Sequence, residues 1–227
     1  MNGLAIALVL LASAQSGDTR VGSRLDPATR KVANADTSGS DATLYRFVEC
    51  AVARREVKVK AAIDARNEAA YQKALDSLSD VQRCAASAYV AEDASVLTVT
   101  SDRGTMRGFI GEAFVKKEPK RAAGLAPLPL QRTYVRDWYE ITGRARPIDE
   151  MATCVADTNP GGIVALLKTR IGSSDEKAAV SALAPSLGQC LATGYKLNTN
   201  RLGLRTALAE ALYHRAFDPA PAAGAAQ

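Results

Sequence analysis

One stretch of this chain occurs twice. Residues 103–117 read Arg-Gly-Thr-Met-Arg-Gly-Phe-Ile-Gly-Glu-Ala-Phe-Val-Lys-Lys, and residues 201–215 read Arg-Leu-Gly-Leu-Arg-Thr-Ala-Leu-Ala-Glu-Ala-Leu-Tyr-His-Arg. Laid over each other without a gap, they match Arg103 with Arg201, Arg107 with Arg205, Glu112 with Glu210 and Ala113 with Ala211. Met106, Ile110 and Phe114 face Leu204, Leu208 and Leu212, the fourfold spacing of one helix face. Thr100-Ser101-Asp102 and Asn198-Thr199-Asn200 precede the two copies, and both are sets of good N-caps. Upstream, each copy carries a pair of cysteines, Cys50 with Cys84 and Cys154 with Cys190. The expected organisation is two tandem three-helix units, residues 41–117 and 148–217, joined by a connector over 118–147. Their offset of about 100 positions exceeds the roughly 34–47 residues of stacked helical repeats, so a duplicated unit is the better description than a solenoid.

Helices are expected throughout. Alanine is abundant, aromatics make up only 5% of the residues, and no glycine-punctuated run of alternating Val, Ile and Tyr marks a hairpin. The fold class is therefore all-α. In the first copy, Leu44, Phe47, Val48, Ala51, Val52 and Arg55 follow one helix face from a cap at Ser40 or Asp41. Tyr71, Ala74, Leu75, Leu78, Val81 and Ala85 repeat that face after a turn, and Val96-Leu97-Thr98-Val99-Thr100 has some strand character but no partner. In the second copy Asp149 is expected to cap a short helix, which Asn159-Pro160-Gly161-Gly162 interrupts. Ser173-Ser174-Asp175-Glu176 reads as a capping box, and Pro185 predicts a kink or restart in the helix that follows.

The N-terminus points to export. Leu4 to Ala14 is a short apolar run ending in Ala12-Ser13-Ala14, a small-x-small cleavage signal followed by polar residues. Residues 1–14 are expected to be a signal peptide and 15–40 a flexible leader, with 218–227 a disordered Pro/Ala tail. Cysteines in a periplasmic or secreted chain are expected to be oxidised. In an antiparallel helical hairpin, residues equidistant from the turn face each other. The midpoint of Cys50 and Cys84 is Asn67, in a turn-like stretch, and that of Cys154 and Cys190 is Gly172, in another. Each pair is thus expected to staple its own hairpin. A zinc site is the poorer reading, because there is no CxxC pair and His214 is the only histidine.

Charge gathers in the connector. From Lys116 to Arg146 there are eight basic and three acidic residues, a net +5 that equals the net charge of the whole chain. The same segment holds the only tryptophan, with Tyr134, Trp138 and Ile141 on one side of a short helix. Two roles fit: an aromatic seam between the units, or a basic contact surface (Arg132, Arg136, Trp138, Arg144, Arg146) for an anionic envelope component or protein. Nucleic acid is not expected outside the cytoplasm, and no later run reaches the length of a transmembrane helix.

Little in the sequence reads as catalysis. Ser174-Asp175-Glu176-Lys177 matches S-x-x-K but lacks the companion elements of penicillin-recognising enzymes. His214 follows Glu210 by four positions, as Lys116 follows Glu112, which reads as a surface pair. Glu112 and Glu210 form a possible carboxylate pair for glycan hydrolysis, more simply read as salt-bridge residues. Arg103, Arg107, Arg201 and Arg205 sit in first helical turns, where the dipole disfavours cations. Either neighbouring acids hold them or they bind an anion together with the helix N–H groups. The expectation is an exported, non-enzymatic binding or structural protein of the cell envelope, needing no cofactor or metal, that contacts an anionic partner through arginines. An envelope hydrolase built from scattered carboxylates is the rival.

Overall fold

The structure, a computed structural model, describes residues 37–78, 84, 101–131 and 133–218. The expected signal peptide, most of the leader, the segment with strand character, Arg132 and the tail beyond Asp218 lie outside the described residues. Among the described residues the chain is all-helical, with no strand. The helices are α1 (Thr37–Asp64), α2 (Glu68–Asp76), α3 (Arg103–Lys117), α4 (Pro119–Ala123), α5 (Arg146–Thr158), α6 (Pro160–Leu167), α7 (Ser174–Cys190) and α8 (Arg201–Phe217). A 3-10 turn spans Asp137–Ile141. None of these helices is long and apolar enough to cross a membrane.

The centre of the fold is the pair α3 and α8, which carry the two stretches aligned above and make the most extensive helix–helix contact among the described residues. Their approach is set by glycine. A Cβ on Gly108 would lie 2.3 Å from Thr206 Cβ and 2.5 Å from its Cα, so no side chain fits there. Gly111 is less tight, a Cβ there lying 3.1 Å from Ala209 carbonyl and Glu210 Cα. The two close approaches come in the same order along both helices, so α3 and α8 run in the same direction. Asp102 and Asn200 cap them through Thr105 N–H (2.8 Å) and Gly203 N–H (2.7 Å).

A helical hairpin accompanies each central helix. In the first, Asn67 accepts from Ala70 N–H at the start of α2, and the Cys50–Cys84 disulfide joins Cα atoms 5.5 Å apart. In the second, Cys154–Cys190 joins Cα atoms 5.6 Å apart. Both pairings are those the midpoint argument predicts, and each closes a loop expected to contribute on the order of 3–4 kcal/mol. Gly172, at φ +79°, makes the turn between α6 and α7, and its N–H donates to Glu176 Oε2 (3.0 Å) while Ser173 Oγ accepts from Glu176 N–H (3.1 Å). One continuous apolar core runs through all of these elements, from Tyr45 in α1 to Tyr213 in α8.

Four local expectations need correction. α1 begins at Thr37, inside the expected leader, so Ser40 and Asp41 lie within the helix and do not cap it. α7 continues through Pro185 as one helix, because Pro185 is on the exposed face, where water can satisfy the carbonyl that proline frees. Conversely, α1 carries an unexpected kink at Arg55 (φ −136°, ψ 42°). Asp149 is no cap: α5 starts earlier, at Arg146, and the buried Asp149 carboxylate instead accepts from Thr142 Oγ1 (2.6 Å) and Arg144 Nε (2.7 Å).

Candidate functional site

The repeated arginines and glutamates pair with each other across the α3–α8 contact. Arg107 Nε donates to Glu210 Oε1 (2.5 Å), and Arg205 grips Glu112 with Nε (2.8 Å) and an Nη (2.6 Å). Each arginine reaches five positions beyond the residue opposite it, a rise of about 7.5 Å that suits a long side chain. Each guanidinium also closes the C-terminus of a neighbouring helix. Arg107 donates to Ala62 and Ile63 carbonyls (2.9 and 2.8 Å) at the end of α1. Arg205 donates to Leu166 and Leu167 carbonyls (3.4 and 3.3 Å) at the end of α6 and to Glu176 Oε1 (2.9 Å). Such contacts satisfy carbonyls that a helix leaves unpaired.

All four of these charged residues are fully buried. Arg107 and Arg205 therefore offer no donor to an external anion, and the first-turn cations are explained by internal acceptors. Of their neighbours, Arg103 is bound to Glu68 (2.6 Å) and lies over the Tyr71 ring, while Arg201 is half exposed, 3.9 Å from Glu176. Nor do Glu112 and Glu210 form a carboxylate pair facing substrate, since guanidinium groups hold both. Burial alone would push the Glu210 carboxyl up, but Arg144 and Arg107 outweigh it and hold the group far below the usual carboxylate range.

The connector residues are divided between the interior and the surface. Trp138 is buried, its ring stacked on His214 at 4.6 Å between centroids. His214 is therefore not the surface residue expected from its spacing. His214 Nδ1 meets Asp218 Oδ2 at 2.9 Å beneath the Trp138 ring. Arg144 is nearly buried, bridging Asp149 and Glu210 and donating to Gly104 carbonyl (2.9 Å). Burial raises Asp149 above the ordinary range despite Arg144 and Thr142. Of the connector arginines named above, Arg136, near Asp157 at 3.9 Å, and Arg146, paired with Glu150 at 2.9 Å, reach solvent, as do Lys120 and Arg121. Tyr134, Trp138, Tyr139, Ile141 and Thr142 thus form a seam, while most of the other described connector residues are exposed.

An open cleft of about 600 Å³ lies elsewhere, above Arg205. One wall is α1, with Tyr45, Arg46 and Glu49; the other is the α6–α7 turn, with Lys168, Thr169, Arg170 and Ile171. Lys116 of α3 stands between them, tied to Glu112 (2.9 Å) and 4.5 Å above the Tyr45 ring. Arg46, Lys168 and Arg170 are exposed and Lys116 is 34% exposed, against a single exposed carboxylate, Glu49. Four solvent-reaching cations therefore line one concave surface, with the buried Arg205 at its base, which concentrates positive potential there.

Of the cleft residues, sequence reasoning singled out Arg205 as a candidate anion site and paired Lys116 with Glu112, but it passed over Tyr45, Arg46, Glu49, Lys168 and Arg170. The basic Lys168-Thr169-Arg170 turn was visible, but nothing local says that α1 folds over it. Comparison with known proteins leaves the site to be read from its own chemistry: no family model matches the chain, and neither does any curated protein or solved structure.

Proposed function

We propose that this is an exported, non-enzymatic binding protein of the periplasm or extracellular space, built by duplication of a three-helix unit, which holds an anionic ligand in the cleft between α1 and the α6–α7 turn. The observation that carries the reading is the convergence of Arg46, Lys116, Lys168 and Arg170 on one cleft of about 600 Å³, a volume within the usual range for small-ligand sites. The apolar run at residues 4–14 and the two disulfides support the compartment. The reciprocal Arg–Glu pairs of α3 and α8 support the duplication. The contact surface moves from the connector to the cleft, because Trp138 and Arg144 are committed to the interior.

The test is titration calorimetry of the oxidised protein with inorganic phosphate and with citrate. Binding is expected at low salt and should weaken as salt rises. Replacing Arg46, Lys168 and Arg170 together by glutamine should abolish it. Failure of both anions to bind, or binding that the triple substitution leaves intact, would remove the proposal.

A further inference from the structure

The geometry points to a dicarboxylate, a small organic acid with two carboxylate groups, as the ligand class of this cleft. This rests on the anion-binding reading and deepens it. It follows from what the protein does with its own carboxylates at the matching place in the other half of the chain.

The two halves overlay residue by residue around their hairpin turns. Placing Cys50 on Cys154 without a gap puts Ala62 and Ile63 on Leu166 and Leu167, the helix-end carbonyls that receive Arg107 and Arg205. Matched arginines thus meet matched carbonyls, so the overlay describes contacts as well as sequence. It also places Arg66 on Arg170, and the alignment of α3 with α8 places Lys116 on His214. In the first half, Asp218 Oδ2 lies between an Arg66 Nη (3.0 Å) and His214 Nδ1 (2.9 Å), and Asp137 Oδ2 takes Arg66 Nε (3.1 Å). One turn arginine there holds two separate carboxylates, which the several donors of a guanidinium allow.

The second half presents the same kind of donors without the carboxylates. Arg170 and Lys116 both line the cleft, and among the described residues no carboxylate, Glu49 included, pairs with Arg170, Lys168 or Arg46. The position aligned with Asp218 is Lys120, and α3 has ended before it, at Lys117. Glu118, at that end, is bound to Arg121 at 2.7 Å. Lys116 uses one of its three N–H donors on Glu112 and keeps the others. An external dicarboxylate supplies what Asp218 and Asp137 supply in the first half. One carboxylate lies between Arg170 and Lys116 and the other takes a second nitrogen of Arg170, with Lys168 and Arg46 adding positive charge.

The experiment is calorimetric titration of the oxidised protein at low salt and neutral pH with succinate, sulfate and acetate. Succinate and sulfate are both dianions there and differ in how far apart the charge lies, while acetate offers one carboxylate alone. Succinate should bind about ten-fold or more tightly than either, the increment that one further charge-assisted contact supplies. Arg170→Gln should cut succinate affinity by about ten-fold or more. Arg170 is exposed and has no ion pair among the described residues, so this variant should melt with the parent. Sulfate or acetate binding as tightly as succinate would overturn the dicarboxylate assignment and leave the anion site standing. Succinate binding that Arg170→Gln leaves unchanged would overturn the assignment as well. Absence of binding by all three anions would overturn both it and the anion site.

Discussion

Glu210→Gln is the sharpest test of the central charge network. The Glu210 carboxylate is fully buried, accepts from Arg107 Nε at 2.5 Å and from Arg144, and has His214 Nε2 at 3.8 Å. Glutamine keeps the shape but removes the charge and turns one acceptor into a donor. That donor faces a guanidinium N–H, leaving a buried cation without its acceptor. Breaking a buried pair from one side costs about 3–5 kcal/mol. At roughly 2–4 °C per kcal/mol for a chain of this size, Tm should fall by about 6–20 °C. Urea denaturation of the oxidised protein, followed by circular dichroism, measures the free energy directly. The sign of the pH dependence follows from the depressed carboxyl. Its stabilisation is fully present above the unfolded value of about 4.3 and is lost as pH falls toward the folded one. The gap between parent and variant should therefore narrow by about 1.4 kcal/mol for each pH unit below about 4.3. A gap under about 1 kcal/mol at pH 7, or one that stays constant down to pH 3, would refute the reasoning.

Gly108→Ala should destabilise by about 1–3 kcal/mol despite the better helix propensity of alanine, because its Cβ would sit 2.3 Å from Thr206 Cβ and push α3 and α8 apart. Gly161→Ala meets nothing within 4 Å and should be neutral or slightly stabilising, which makes it the control in the same urea titration. In the connector, Arg144→Gln should cost several times more stability than Arg136→Gln or Arg146→Gln. The latter two should fall within about 0.5 kcal/mol of the parent, Arg146 because its pair with Glu150 is largely exposed and Arg136 because it stands 3.9 Å from an Asp157 that Arg215 still holds. Equal losses at all three positions, read by thermal melting, would contradict the division between seam and surface.

The parts legible in the sequence are those fixed by local spacing. Periodicity located the helices, and turn midpoints paired Cys50 with Cys84 and Cys154 with Cys190, because hairpin geometry depends only on distance from the turn. Capping was legible for the same reason at Asp102, Asn200 and Ser173. What stayed hidden depends on how distant segments meet. Glu210 and His214 look like a surface pair until α3 brings Arg107 onto Glu210 and Trp138 of the connector stacks on His214. Asp149 looks like a cap until Arg144 claims its carboxylate. The cleft needs α1, Lys116 and the α6–α7 turn at once, and no window of sequence contains all three.

Small residues bring α3 and α8 together, but a smooth contact between small residues tolerates sliding along the helix axes. The Arg–Glu pairs remove that freedom. A slip of one turn would carry Arg107 and Arg205 away from Glu210 and Glu112, and away from the helix-end carbonyls they close, stranding four buried charges. Register is therefore specified by electrostatics where packing alone is permissive, the role polar residues play in helical pairs generally. The two halves of the network differ in what else they hold. Glu210 shares its charge with Arg144 and thereby anchors the connector, whereas Glu112 shares its charge with Lys116 and thereby fixes a cation at the cleft. The same glutamate that sets the helix register thus also sets the position of a cleft-lining charge, so α3 cannot shift against α8 without deforming the cleft.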